Sequence, residues 1–228
     1  MIFAAGLGTR LYPLTADKPK ALVEINGKTL LASAIEKIIE NNIHHIVVNV
    51  HHFGEQIIQF IESHGYDAEI HISDERNQLL ETAGGLKHAS PFFSKSNHIL
   101  LYNVDILSSI NLKKMLDSHL QTDALATLAV KERESSRYFI FDSQNMELCG
   151  WINYQTGDCI QKIKSDNTVE LAFSGIHFVK REVIDLIPPA EKLSFTPFYL
   201  DICKNQKIIG YDHSGDKWKD IGKYEEQC

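Results

Sequence analysis

Arg10, Lys18 and Lys20 put three cations within eleven residues of a chain whose formal net charge is −7. They sit in the segment Phe3-Ala-Ala-Gly-Leu-Gly-Thr-Arg-Leu-Tyr-Pro-Leu-Thr-Ala-Asp-Lys-Pro-Lys20, directly after the apolar run Ile2 to Ala5. Gly6 and Gly8 permit backbone torsions closed to other residues and let a ligand come close to main-chain N–H groups. Thr9 supplies a hydroxyl, and the Arg10 guanidinium offers a fork of donors that matches phosphate oxygens. Pro19 stiffens the backbone between the two lysines. This set of residue types suits an anionic phosphate ligand at the carboxyl end of a strand, where open α/β sheets bind their ligands. A surface loop with solvated cations is the plain alternative. Two familiar phosphate loops are excluded by spacing: there is no G-x-x-x-x-G-K-[ST], and Leu11 stands where a dinucleotide fingerprint needs its third glycine.

Oxygen donors lie far off in the sequence. Leu100-Leu-Tyr-Asn-Val-Asp105 puts a carboxylate just past a buried run. There it is suited either to Mg²⁺, which prefers hard oxygens shared with substrate phosphate, or to the plainer role of a helix cap. In Leu80-Glu81-Thr82-Ala83-Gly84-Gly85 a Thr82 cap followed by small residues leaves room for a planar base, or equally makes a tightly packed helix start. The pairs His44-His45 and His51-His52 read as strand-end or surface residues, because neighbours on a strand point to opposite faces and do not share an ion.

The elements that must position these groups follow from periodicity. Strands are expected at 2–5, 43–50, 68–72 and 98–102, and helices at 29–41, 53–63 and 82–89. That alternation implies a mainly parallel sheet with helices on both faces. From residue 123 the pattern turns to short runs at 124–130, 138–141, 146–152 and 159–163, separated by turn signals that suggest antiparallel hairpins. Helices near 181–187 and 195–205 and a strand near 207–211 complete the reading. The whole is expected to form one domain, with the change of pattern dividing 1–122 from 123–228.

With 228 residues the chain can bury a substantial core, and 43% hydrophobic and 23% charged residues is an ordinary globular balance. The acidic balance argues against a nucleic-acid partner. The cysteines (149, 159, 203 and 228) form no C-x-x-C pair, which suits a reducing, cytoplasmic compartment. A leader peptide and a membrane span are not expected.

Ala4 to Thr15 followed by Lys18-Pro-Lys20 resembles the signature loop of the sugar-1-phosphate nucleotidyltransferases, with motifs most similar to uridylyltransferases acting on N-acetylmuramate α-1-phosphate. The resemblance implies a Rossmann-like fold and a loop, through Ala5, Gly6, Gly8 and Thr9, that wraps a nucleoside triphosphate. It gives Arg10 and Lys20 the phosphate contacts at the reacting centre. Glu81, Thr82 and Gly84 then read the base, Asp105 and Asp220 (in Trp218-Lys-Asp220-Ile-Gly222) hold Mg²⁺, and Gly150, Lys162, Ser174 and Gly175 meet the sugar. The implied reaction joins a nucleoside monophosphate to a sugar 1-phosphate with release of pyrophosphate, as in cell-wall recycling. UTP is the favoured nucleotide. A GTP-dependent mannose- or heptose-1-phosphate enzyme and a catalytically weak regulatory subunit are the alternatives. Val104 and Lys223 depart from the family motifs, and few residues precede Phe3, which implies a shortened first strand.

Overall fold

In a computed structural model, the structure describes residues 1–189 and 192–223. Cys228 and the side chain of Lys223 lie outside the described part of the chain. The strands are β1 (Ile2–Phe3), β2 (Glu24–Ile25), β3 (Lys28–Thr29), β4 (His45–Val50), β5 (Glu69–Asp74), β6 (His98–Asn103), β7 (Ile106–Ser108) and β8 (Ala126–Lys131). They continue with β9 (Arg137–Asp142), β10 (Leu148–Asn153), β11 (Asp158–Gln161), β12 (Thr168–Lys180), β13 (Ile208–Asp212) and β14 (Trp218–Asp220). The helices are α1 (Leu30–Ile39), α2 (Gly54–Ser63), α3 (Glu81–His88), α4 (Leu112–Thr122), α5 (Val183–Leu186) and α6 (Phe195–Ile202).

The central sheet runs β5-β4-β1-β6-β12, with parallel pairing from β5 to β6 and antiparallel pairing of β12 to β6. β8 joins the other side of β12 and carries β13 in parallel. Alternation along these strands builds two cores. Ile2, Ile46, Val48, Val50, Leu100 and Tyr102 face α1, α2 and α4, whereas Phe3, Val47, Ile99 and Leu101 face α3, α5 and α6. Helices therefore cover both faces, as the sequence pattern implies.

β12 is the hinge between the halves and was not foreseen from the sequence. Its first part pairs with β9 of the antiparallel meander β9-β10-β11, and its second part pairs with β6. The register against β8 shifts between Phe173 and His177, around Gly175 at φ 75°. A bulge of this kind re-aims a strand and breaks its alternation, which hides the strand from a period-2 search. Helix α4 was also unforeseen, although Asn111 caps it by accepting from the Lys114 N–H at 2.9 Å. Among the described residues no helix is long and apolar enough to cross a membrane.

Two histidines inside these cores are held neutral. His119 lies 2.8 Å from the Thr127 hydroxyl and 3.1 Å from His98, and burial lowers its pKa to about 4. His177 lies 2.7 Å from the Tyr199 hydroxyl, and burial lowers its pKa to about 3. In the unfolded chain both take up a proton near pH 6.5, so below that pH the unfolded state binds more protons and stability falls as pH falls. We expect the thermal unfolding midpoint to decline steadily from pH 7 to pH 5 at constant ionic strength, before most carboxylates titrate. A flat calorimetric profile over that window would contradict the neutral buried state.

Candidate active site

The site grows from the carboxyl ends of β1, β4 and β6. Asn49, buried at the end of β4, accepts from the Ala4 and Ala5 N–H groups at 2.7 and 3.3 Å and so aims the chain leaving β1. Its own amide donates to Glu75 at 2.9 Å, and the other Glu75 oxygen accepts from the Leu80 N–H at 3.3 Å. Burial raises the Glu75 pKa, with the Asn49 and Leu80 hydrogen bonds opposing that rise. A Cβ on Gly85 would stand 2.7 Å from the Glu75 carboxylate, so the second glycine of the E-T-A-G-G stretch makes room for this buried network.

Beyond Ala5 the loop turns at Gly8, whose φ of 67° is a left-handed conformation suited to glycine. A Cβ there would also press on Thr15 and Lys20 at 3.0 and 3.1 Å. The Thr15 hydroxyl donates to the Gly8 carbonyl at 2.9 Å, closing the loop on itself. Thr9 opens a short 3₁₀ turn, Thr9–Leu11, that presents Arg10. Pro19 is extended and starts a second 3₁₀ turn, Lys20–Leu22, which returns Lys20 beneath the loop. Lys18 is exposed.

Lys20 Nζ donates to Asp105 Oδ2 at 2.6 Å, with both side chains largely buried. Asp105 sits in the turn between β6 and β7, and its carbonyl accepts from the Ile221 N–H at 2.9 Å. β7 pairs with β14 so that Ile106 stands opposite Asp220. The result is a convergence at Gly222. A Cβ built on Gly222 would lie 2.6 Å from Asp105 Oδ2, 3.0 Å from Asp220 Oδ1 and 3.3 Å from Arg10 Nη2. Residues separated by more than two hundred positions meet at one point.

A cavity of about 360 Å³ reaches Arg10 and Asp105 of this convergence, though not Asp220, and is lined besides by Ala5, Gly6, Lys20, Glu81 and Thr82 together with Asn49, Leu79, Asn103 and Ser194. A second cavity of about 360 Å³ shares Ser194 and is lined by Lys162, Trp151 and Arg137 from the meander and by Thr196 and Asp201 from α6. The other sequence candidates lie elsewhere. Gly84 lines a separate cavity beside Glu75, and its N–H donates to the Leu193 carbonyl at 3.0 Å. Thr82 is not the helix cap: α3 begins at Glu81, which adopts φ 61°, and the Thr82 hydroxyl accepts from the Phe195 N–H at 3.1 Å.

Gly150, Ser174 and Gly175 line neither of the two joined cavities. A Cβ on Gly150 would strike the Ile160 carbonyl at 2.3 Å, so the glycine is required by the packing of β11 on β10. Ser174 is fully buried; its hydroxyl lies 2.7 Å from His213, and its carbonyl accepts from the Trp218 indole at 2.9 Å. It therefore anchors β14, the strand that carries Asp220. Gly175 lets the Asn103 side chain pass where a Cβ would stand 2.9 Å from it.

Several working residues escaped sequence reasoning. Asn49 left a signal, a polar side chain inside the apolar run Ile46 to Val50. Arg133 left none: its guanidinium lies 4.1 Å from the Trp218 ring centre and donates to the Phe173 carbonyl at 2.9 Å, holding β14 in place. His45 joins His71 and Glu69 across β4 and β5, with ligand atoms within 4.8 Å of one another. Adjacency along the chain concealed that grouping, which lies at the opposite end of β4 from Asn49.

Fold and site together define an α/β protein whose cavity gathers Arg10, Lys20 and Asp105 at the carboxyl ends of parallel strands, a place suited to an anionic ligand. The family model described as Nucleotidyl transferase matches residues 1–227. N-acetylmuramate alpha-1-phosphate uridylyltransferase from Caulobacter vibrioides is 30% identical, over 97% of this chain and 90% of its own length. A putative mannose-1-phosphate guanyltransferase from Sulfolobus acidocaldarius is 25% identical, over 97% of this chain and 59% of its own. The crystal structure of a putative glucose-1-phosphate thymidylyltransferase from Bacillus anthracis shares the fold at TM-score 0.81 and 16% identity, over 98% of this chain and 89% of that one. The chain belongs to the sugar-1-phosphate nucleotidyltransferase family.

Gly222→Ala tests the convergence directly. The added methyl would displace Asp105 and Asp220 while removing no functional group. We expect turnover to drop by about tenfold or more, with a thermal midpoint within a few degrees of the parent. Unchanged turnover would separate Gly222 from the reacting centre.

Proposed function

We propose that the chain transfers UMP from UTP to N-acetylmuramate 1-phosphate, releasing pyrophosphate. The observation that carries the reaction is the meeting of Arg10, Asp105 and Asp220 at Gly222, with Lys20 bound to Asp105. UTP and the muramate sugar are supported by the likeness to the Caulobacter enzyme and by the Glu81-Thr-Ala-Gly-Gly85 stretch, of which Glu81 and Thr82 line the cavity. The Sulfolobus relative supports a second reading, GTP with mannose 1-phosphate. The triphosphate would lie on the half formed by residues 1–122, and the sugar on that formed by 123–228.

The donor set suits Mg²⁺: two aspartate oxygens converge on a point kept open by a glycine, leaving other positions for phosphate oxygens and water. Bound there, the ion would neutralise phosphate charge. In the reaction an oxygen of the sugar phosphate attacks the α-phosphorus in line as pyrophosphate leaves. The attacking oxygen is already anionic, so no residue need remove a proton. Arg10 and Lys20 screen the approach of two anions and the charge that gathers on the leaving group, while Asn49 and Gly8 hold the loop that orients the phosphates. Lys20 must then exchange its Asp105 contact for phosphate, and because Lys20 itself lines the cavity that exchange is local.

Two measurements check this reading. With Mg²⁺ saturating, Lys20→Ala and Asp105→Asn should each lower turnover by roughly 10²-fold or more; near-parental rates would remove that residue from the chemistry. A pyrophosphate-release panel of four nucleoside triphosphates against several sugar 1-phosphates should give its highest kcat/KM for UTP with N-acetylmuramate 1-phosphate. Binding of nucleotide without pyrophosphate from any pair would indicate a regulatory subunit instead.

A further inference from the structure

The cavity beside the phosphate site contains a cation that the transfer reaction does not use. Arg137 stands at the start of β9, opposite Asn153 on β10, and is exposed to the cavity. Among the described residues no hydrogen bond or ion pair engages its guanidinium. Lys162, across the same cavity, is already paired with Asp201 at 3.3 Å. The charged lining of Arg137, Lys162 and Asp201 thus has one positive charge in excess, and Arg137 carries it. Trp151, half-buried on β10, offers an aromatic surface between these groups.

We propose that this cavity is a subsite for a carboxylate carried by the sugar, read by Arg137 while the pyranose ring lies on Trp151. A guanidinium presents two parallel N–H donors to a carboxylate, a match that neutral sugar hydroxyls do not provide. The apolar body of an indole suits the face of a sugar ring. Ser194 lines both cavities, so they adjoin there, within reach of one sugar phosphate whose phosphate lies near Lys20. The inference rests on the transferase reading above. It adds that the acid group, rather than the acetamido group, selects the substrate. N-acetylmuramate differs from N-acetylglucosamine by one lactyl ether bearing a carboxylate, and that pair isolates the interaction.

The test compares kcat/KM for N-acetylmuramate 1-phosphate and N-acetylglucosamine 1-phosphate, with UTP and Mg²⁺ saturating, in the parent, Arg137→Ala and Arg137→Lys. The parent should prefer the acidic sugar. Arg137→Ala should lower its kcat/KM by roughly tenfold or more, mainly through KM, and change the neutral sugar by less than about threefold. Arg137→Lys keeps the charge and loses the fork, so it should fall between them. Parental thermal midpoints in both variants exclude misfolding as the cause. Equal losses on both sugars, no loss on either, or a parent without preference for the acidic sugar would overturn the inference while leaving the transferase reaction standing. A parent that forms pyrophosphate with no sugar 1-phosphate would overturn the reaction itself, and this subsite with it.

Discussion

The contact between Lys20 and Asp105 is the constraint around which the rest is arranged. It joins the glycine loop that follows the first strand to the turn that follows the sixth, and it brings opposite charges together where water is largely shut out. Such a pair gains little unless its surroundings hold it in register, because removing both ions from water costs much of what their attraction returns. The register comes from backbone: β1 lies between β4 and β6, so the loop leaving β1 and the turn leaving β6 emerge side by side. Asn49, from the third of those strands, grips the loop at its first two amides.

Most of the scaffold was legible in the residues because burial on two faces imposes strict periodicity. Runs such as Ile46-Val-Val and the spacing of Leu31, Ala34, Ile35 and Ile38 leave few alternatives. Element ends were less legible, since caps and neighbouring strands decide them. The long strand β12 was hidden by its own bulge at Gly175, where alternation changes phase and the strand passes from one partner to another.

The site divides in the same way. Arg10, Lys20 and Asp105 announce themselves by chemistry, and the structure gathers them. Residues chosen for the sugar fare differently. Gly150 and Gly175 are small because backbone or the Asn103 amide presses on them, and Ser174 is polar because it holds His213 and Trp218. A motif records that a residue type is needed at a place; whether the need comes from a ligand or from a neighbouring strand depends on contacts made across the fold. Arg133 acts through such contacts, and so does not stand out along the chain.

The pairing of β14 with β7 has a consequence for how the protein comes into being. Asp220 is delivered by one of the last described strands, held to the body by Trp218, Arg133 and Ser174. During synthesis the sheet and the cationic loop emerge from the ribosome well before residues 218–222, and domains tend to consolidate from the amino end. A nascent chain would therefore own the cationic loop long before it owned the carboxylate of Asp220. On the proposed reading, transfer would begin only once residues 218–222 had joined the fold.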